Sequence, residues 1–302
     1  MFIEQINTKK FNGLLYLPIP LGFLALMFFN FIISEGVDTN KAINDTIAMF
    51  GINVTFALIV APLSFACLVV LFWVKFVHQQ SITSLTTGRA KIDWNRILFS
   101  FGLWSIITIS ITLISYYAAP ENFIFNFKPI PFLIFFILAL LLIPLQTSFE
   151  EYLFRGYLMQ GIGVATKSKL IPLIITSVLF GVLHIANPEV EKLGYTIMIY
   201  YIGTGFFLGI LTLMDDGLEL SLGFHAANNL IGALLVTSDW TVFQTHSILK
   251  DISTPSNGFL EIFFPVFILF PMILFIFSKK YKWSNWKDKL SGNLNFANNK
   301  TL

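Results

Sequence analysis

The chain has 302 residues, of which 56% are hydrophobic and 12% charged, and its formal net charge at pH 7 is +2. This composition is far more apolar than that of a soluble domain and predicts a polytopic membrane protein. The lone Cys67 excludes an intramolecular disulfide and a CxxC site, and the sequence has no basic face suited to a nucleic-acid partner.

Eight apolar stretches approach the roughly 20-residue length that spans a bilayer core. Backbone polar groups in lipid must be satisfied within the segment, and the stretches lack the alternation of barrel strands, so we expect helices. The predicted fold class is all-α, a polytopic transmembrane helix bundle of about eight spans. The stretches are residues 14–33, 52–74, 97–119, 130–150, 170–187, 195–214, 218–237 and 259–277.

Lys and Arg concentrate in the segments on one side of these spans, including Lys9, Lys10 and the lysines after residue 278. By the positive-inside rule both termini are expected in the cytoplasm, with the chain in the cell membrane. We divide the chain into four parts: N-terminal membrane spans at 1–129, a core at 130–237, a last loop and span at 238–277, and a cytoplasmic tail at 278–302.

Tryptophans near the predicted span ends, Trp104 among them, are interpreted as residues of the membrane interface. Trp283 and Trp286 lie among lysines and predict a solvated tail anchored at the lipid headgroups. Gly205 and Gly209 form a small-xxx-small pair, which predicts close packing of a neighbouring helix within the chain.

Ionisable residues inside the apolar core point to a functional site. A charge at the bilayer centre costs about 2.5 to 3.5 kcal/mol on insertion scales, so several together imply mutual pairing or a water-filled cavity. Glu151 and Arg155 are four residues apart, the spacing of a same-face ion pair on a helix. Glu150 points about 100° away and is expected to stay free.

The fourth and fifth spans predict a helical hairpin with its turn near Lys167, midway between Glu150 and His184. Antiparallel packing would then place these two side chains at one depth. A solitary carboxylate beside an imidazole in an apolar cavity suits general acid or base chemistry.

His225 and Asn229 are four residues apart in the seventh span and therefore share a helix face, with Asn228 a weaker candidate. An imidazole and an amide can donate hydrogen bonds to an oxyanion that develops on an attacked carbonyl. The set predicts a hydrolase in which Glu150 and His184 activate water. A purely structural clamp is the alternative for any one of these residues.

Three motifs resemble those of the CPBP intramembrane proteases, also called the CAAX protease and bacteriocin-processing or Abi family, which includes the Ras-converting prenyl protease. EEYLFR at Glu150 to Arg155 is similar to EExxxR, FGVLH at Phe180 to His184 to FxxxH, and HAANN at His225 to Asn229 to HxxxN. The resemblance covers roughly residues 130–237, which makes this part the expected catalytic core.

The resemblance implies Glu150 and His184 as the water-activating pair, His225 and Asn229 as oxyanion partners, and Glu151 with Arg155 as structural support. No cofactor is required on this interpretation. Zinc is the alternative, because Glu150, His184 and His225 offer a His₂Glu ligand set, although HExxH is absent.

The sequence therefore predicts an intramembrane endopeptidase that cleaves a peptide bond near the membrane in a small or lipid-associated polypeptide. A non-catalytic immunity or maturation factor that binds a peptide in the same cavity is the main alternative. A proton-coupled transporter is disfavoured because the two halves show no matching broken helices. The substrate is open: prenylated CAAX proteins, bacteriocin leaders and other membrane peptides all fit.

Overall fold

The computed structural model describes residues 2–6, 11–33, 36–256 and 258–294. Lys9, Lys10 and the tail beyond residue 294 lie outside the described residues. The architecture is an all-α polytopic bundle, as predicted. In chain order the α-helices are α1 (Pro18–Ile33), α2 (Thr39–Phe50), α3 (Ile52–Phe76), α4 (Ile82–Thr86), α5 (Trp94–Ala118), α6 (Pro129–Glu151), α7 (Met159–Thr166), α8 (Leu170–Val182), α9 (Pro188–Leu193), α10 (Met198–Asp215), α11 (Glu219–Leu235), α12 (Phe270–Tyr281) and α13 (Trp286–Ser291).

Among the described residues, five helices are long and apolar enough to cross a membrane. Each of the other three predicted spans contains a shorter helix: α1 has 16 residues, α8 has 13 and α11 has 17. The predicted number of eight spans is therefore not confirmed. The five long helices are Ile52–Phe76, Trp94–Ala118, Pro129–Thr166, Tyr195–Asp215 and Phe259–Tyr281.

The longest helix is continuous over Pro129–Thr166, 38 residues. At about 1.5 Å per residue it is nearly twice as long as the roughly 30 Å hydrocarbon core, so one end projects from the bilayer. It ends where Lys167 adopts a left-handed backbone with φ 53°, the predicted hairpin turn. The C-terminal part of this helix is enclosed by other segments, since Gln160 is 0% exposed and donates to the carbonyl of Phe2 at 3.2 Å.

The C-terminal tail up to residue 294 packs against this hairpin, which the sequence did not predict, while Asp288 stays 68% exposed and Trp286 37% exposed. Lys169 Nζ lies 3.0 Å from the Asp288 carboxylate, and the Leu294 amide donates to the Lys167 carbonyl at 2.9 Å. The indole of Trp283 donates to Asp215 at 3.1 Å, which ties the tail to the end of α10.

Helix α10 packs against α8 through its glycines, as the small-xxx-small pair predicted. A Cβ atom on Gly205 would lie 2.4 Å from the Ser177 carbonyl oxygen, so the two backbones approach too closely for any larger residue. A Cβ atom on Gly209 would lie 2.6 Å from the Cδ1 methyl group of Leu173, so that side chain packs directly on this glycine. This contact holds the fifth span against the sixth and brings the end of α8 to the centre of the bundle.

Helix α11 lies between α5 and α6 and is largely buried. Ser100 on α5 donates to the Leu220 carbonyl at 2.7 Å, and a Cβ on Gly223 would lie 2.2 Å from the carbonyl oxygen of Ile97. Close contact with α5 presents the opposite face of α11, with His225 and Asn229, to α6.

A short sheet, which hydropathy did not predict, joins the loops near one end of the bundle. Its strands are β1 (Phe123–Phe125), β2 (Val236–Thr237) and β3 (Leu249–Asp251), in the order β1-β3-β2. Strand β3 pairs antiparallel with β1, Phe123 opposite Asp251, and parallel with β2, Val236 opposite Leu249.

Candidate active site

A fully buried ion pair forms the base of the site. Arg155 Nη1 donates to Glu151 Oε1 at 2.9 Å, and both side chains are 0% exposed. The other guanidinium nitrogen, Nη2, donates to the Gly205 carbonyl on α10 at 3.1 Å. The guanidinium carbon lies 4.2 Å from the centre of the Phe180 ring on α8. Arg155 therefore connects the long helix to both α8 and α10.

Residues Tyr152–Leu158, directly after the paired acids, form a π-helix between α6 and α7. Single-turn π segments are rare inside α-helices and frequently occur at functional sites, because they change the direction in which side chains point. Here the segment carries Arg155 and buries it completely. The periodicity of an α-helix alone did not predict this segment.

His225 contacts both acids, which belong to a different helix. Its Nδ1 lies 2.9 Å from Glu151 Oε1, and because an ionised carboxylate only accepts hydrogen bonds, Nδ1 carries the proton. Its other nitrogen, Nε2, is 3.7 Å from Glu150 Oε2, too far for a hydrogen bond. Glu151 thus orients the imidazole, and Nε2 faces the neighbouring carboxylate.

Glu150 and Glu151 have different surroundings although they are adjacent in sequence. Glu150 Oε1 accepts a short hydrogen bond from Gln146 Nε2, whereas Glu150 Oε2 is buried without a hydrogen-bond partner. The Glu150 side chain is 12% exposed and that of His225 is 7% exposed, so the site is nearly closed. A substrate would need a movement of the surrounding helices to enter.

His184 follows the C-terminal end of α8, and the Phe180 ring lies between it and His225. Nδ1 of His184 donates to the Phe180 carbonyl at 2.8 Å, which leaves Nε2 as the acceptor of a neutral imidazole. The ring stacks on Tyr201 at a centroid distance of 4.5 Å. Within the described residues no hydrogen bond joins His184 to Glu150, although the two interact electrostatically.

Asn229 faces α6, where it contacts a residue that was not among the predicted site residues. Its Nδ2 donates to Gln146 Oε1 at 3.2 Å, and its Oδ1 accepts from Asn228 Nδ2 at 3.0 Å. Gln146 lies four residues before Glu150 on α6, and that same-face spacing is the signal that could have found it.

Trp104 is not an interface residue, and that prediction is wrong. Its side chain lies in the core, with 7% of the residue exposed, and its Nε1 donates to Asn228 Oδ1 at 3.1 Å. Hydropathy places Trp104 near the start of a span, but the contact between α5 and α11 buries it.

The three possible zinc ligands do not form a preformed metal site. No group of three or more His, Cys, Asp or Glu side chains is arranged to hold a metal ion anywhere in the part of the chain that the structure describes. His225 Nδ1 and His184 Nδ1 both donate to protein acceptors, so only the Nε2 atoms of the two rings could bind a metal ion.

The fold and the site together define an integral membrane protein with a buried carboxylate and imidazole centre between four helices. Residues 129–231 match the family described as type II CAAX prenyl endopeptidase Rce1-like. The uncharacterized protein YyaK of Bacillus subtilis (strain 168) is 34% identical over 212 residues, which are 69% of this chain and 71% of that protein. No solved structure matches the chain. The chain belongs to the Rce1-like family of CAAX-type intramembrane proteases, the CPBP family.

Proposed function

We propose that the chain is an intramembrane endopeptidase in which Glu150 activates water to hydrolyse a peptide bond of a membrane-associated polypeptide. The observation that carries the proposal is the pair of atoms Glu150 Oε2 and His225 Nε2. They face each other at 3.7 Å, and the carboxylate oxygen is buried without a partner. A free, buried carboxylate oxygen is available to take a proton from a third group between them.

In the proposed mechanism Glu150 accepts a proton from the water that attacks the peptide carbonyl, and gives it to the leaving amine nitrogen when the tetrahedral intermediate collapses and the C–N bond breaks. Gln146 holds Oε1 of the carboxylate, so Oε2 is the basic atom. His184 assists by accepting a hydrogen bond from the same water at Nε2, the nitrogen left free by its bond to the Phe180 carbonyl. In the closed site no hydrogen bond joins the side chains of His184 and Glu150. This role therefore requires the two side chains to move closer together when water and substrate bind.

His225 and Asn229 are proposed to stabilise the oxyanion of the tetrahedral intermediate. His225 donates from Nε2 when both ring nitrogens carry a proton, with Nδ1 donating to the buried Glu151 carboxylate. Asn229 offers its amide N–H groups. Such donors contribute roughly 100- to 1,000-fold each to the rate in other acyl-transfer sites. Glu151 and Arg155 keep a structural role.

The proposed reaction needs no metal. Metal analysis of the purified protein and activity after stringent chelation test this directly. Retained activity in metal-free protein supports water activation by Glu150. Stoichiometric zinc that is lost together with activity would replace it with a metalloprotease mechanism.

The substrate is proposed to be a small or lipid-associated polypeptide. The description of the matched family names a CAAX prenyl endopeptidase, which favours prenylated proteins, but other membrane peptides fit the same site. We also propose the cell membrane as the location, with both termini in the cytoplasm and substrate and lipid bilayer as the partners.

The test compares small membrane-associated peptides in cells that produce the native chain, the Glu150→Gln variant or the Glu191→Gln variant. Glu191 lies exposed on α9, so its substitution is a matched control for the same chemical change. We expect one or more uncleaved peptides to accumulate with Glu150→Gln and not with Glu191→Gln. If the three peptide profiles are identical and cells with Glu150→Gln keep the phenotype of cells with the native chain, the chain is a binding factor without catalysis.

A further inference from the structure

Five buried or half-buried side chains form a continuous line of hydrogen bonds from α5 to the proposed base. Trp104 donates to Asn228 at 3.1 Å, Asn228 to Asn229 at 3.0 Å, and Asn229 to Gln146 at 3.2 Å. Gln146 donates the last, short bond to Glu150 Oε1. The line crosses from α5 through α11 to α6.

The direction of this line is fixed by its two ends. An indole N–H can only donate a hydrogen bond, and an ionised carboxylate can only accept one. The three amides between them, Asn228, Asn229 and Gln146, each accept from one neighbour through oxygen and donate to the next through nitrogen. Reversing any one amide would set donor against donor and acceptor against acceptor.

The fixed direction matters because the amide of Asn229 can otherwise rotate by 180° at little cost. With its oxygen held by Asn228, the NH₂ group faces Gln146. An amide nitrogen carries two N–H groups, and Gln146 takes one of them, so the other is not used by the line.

We propose that Trp104, Asn228 and Gln146 are positioning residues that act through Asn229 and Glu150. This inference rests on the proposed function. The donor-only indole of Trp104 sets the orientation of the Asn229 amide as an oxyanion donor, and Gln146 passes that orientation on by holding Oε1 of Glu150. The free oxygen, Oε2, is thereby aimed at His225.

Burial supports a positioning role. Trp104 is 7% exposed and Gln146 is 4% exposed, so water does not readily replace a missing partner. Chains of hydrogen bonds in a low-dielectric interior also strengthen one another. A misplacement of about 1 Å at a catalytic group can cost roughly 100-fold in rate, so a lost orientation should appear in kcat.

The first variant, Trp104→Phe, removes the indole N–H and keeps an aromatic ring. The matched control is Trp73→Phe, because Trp73 also donates from a partly buried position, to the Leu15 carbonyl at 3.2 Å, but outside the line. The substrate is a synthetic, internally quenched form of the peptide that accumulates in Glu150→Gln cells. We expect Trp104→Phe to lower kcat by about tenfold with KM nearly unchanged, and Trp73→Phe to change neither.

The second experiment is a double-mutant cycle with Asn229→Ala, read by single-turnover rates. If Trp104 acts through Asn229, adding Trp104→Phe to Asn229→Ala should change the rate by less than about twofold. If the indole contributes independently of Asn229, the two fold-losses in rate should multiply, so that their activation free energies add. That outcome would overturn the inference.

Asn228→Asp tests the line independently, should Trp104→Phe reduce folding. An aspartate at position 228 still accepts from the indole but, when ionised, cannot donate to Asn229 Oδ1, so the Asn229 amide should turn over. We expect a loss in kcat of about 100-fold, larger than that of Trp104→Phe. If folded Trp104→Phe and Asn228→Asp keep the native kcat while Glu150→Gln is inactive, the positioning role of the line is rejected and the proposed function stands. An active Glu150→Gln rejects the proposed function itself.

Discussion

Two charged clusters in this molecule are built in opposite ways. The central cluster consists of Glu150, Glu151, Arg155 and His225. The turn cluster lies where α10 meets α11 and consists of Arg89, Arg96, Asp215 and Glu219. In the central cluster one oxygen of each glutamate and the Arg155 Nε are buried without a hydrogen-bond partner.

In the turn cluster the polar atoms are satisfied. Asp215 accepts from Arg89 at 2.6 Å, from the Trp283 indole at 3.1 Å and, in a short bond, from Arg96, so both of its oxygens are paired. Glu219 accepts from the Asp93 amide at 3.2 Å. A saturated cluster fixes chain segments, whereas an unsaturated one retains the capacity to bind and react, at a cost in stability. On the proposed function, the turn cluster has a structural role and the central cluster carries the reaction.

Replacement of Glu150 with Gln should separate chemistry from stability. We expect kcat to fall by roughly 100- to 10,000-fold, because the general base is removed. The melting temperature in detergent should not fall, since Oε2 has no partner to lose and an amide oxygen can still accept from Gln146. A large drop in melting temperature would show that Glu150 is structural and would break the comparison.

Arg155→Met should give the largest loss of stability. The variant leaves the Glu151 carboxylate buried with only His225 as a partner, and breaking one side of a buried ion pair costs about 3 to 5 kcal/mol. The measurement is the free energy of unfolding in mixed micelles. The double variant Glu151→Gln with Arg155→Met is the control and should recover part of the loss. If the single variant is as stable as the native chain, the pair is not needed for folding.

Asp215→Asn should weaken the fold and spare the reaction. The substitution removes the negative charge that pairs with Arg89 and Arg96. Hydrogen bonds to charged groups each contribute about 1.5 to 3 kcal/mol to the free energy of unfolding, so that free energy should fall. Asp239→Asn is the matched control, because Asp239 pairs with Lys250 at 2.7 Å but is 70% exposed and should contribute little. Loss of kcat in folded Asp215→Asn protein would place the turn cluster in the reaction.

Much of the fold could be predicted because lipid requires helices with internally satisfied backbones. Each apolar stretch contains a helix, and the turn at Lys167 is confirmed. The number of spans could not be predicted, since α11 is short and enclosed by α5 and α6 and need not match the bilayer. The π-helix at Tyr152–Leu158 and the docked tail depend on contacts distant in sequence, which hydropathy does not contain.

The site was predictable where its partners are local. The spacing of Glu151 and Arg155 indicated an ion pair, and the structure has it. The contact of His225 with Glu151 joins α11 to α6, and the burial of Trp104 follows from packing against α11, so neither has a signal in the local sequence. The individual catalytic roles stay predictions that the experiments above test.

Glu189 on α9 shows what an unpartnered carboxylate does outside the central cluster. Its Oε1 accepts from the Val242 amide at 3.0 Å, while Oε2 is buried without a partner, and burial raises the pKa of Glu189 above its ordinary value. A raised pKa in the folded state means that its stabilisation is complete below the ordinary pKa and is lost as the pH rises through the folded value.

Glu189→Gln should therefore have a higher melting temperature than the native chain at pH 8 and no advantage at pH 4, because the amide never has to ionise. Glu191→Gln, on the exposed side of the same helix, should follow the native chain at both values. Equal pH dependence of all three would mean that Glu189 is solvated. Unchanged kcat in Glu189→Gln would show that an unpaired buried carboxylate oxygen does not by itself make a residue catalytic. The proposed chemistry of Glu150 would then depend on the imidazole and the amide donors beside it.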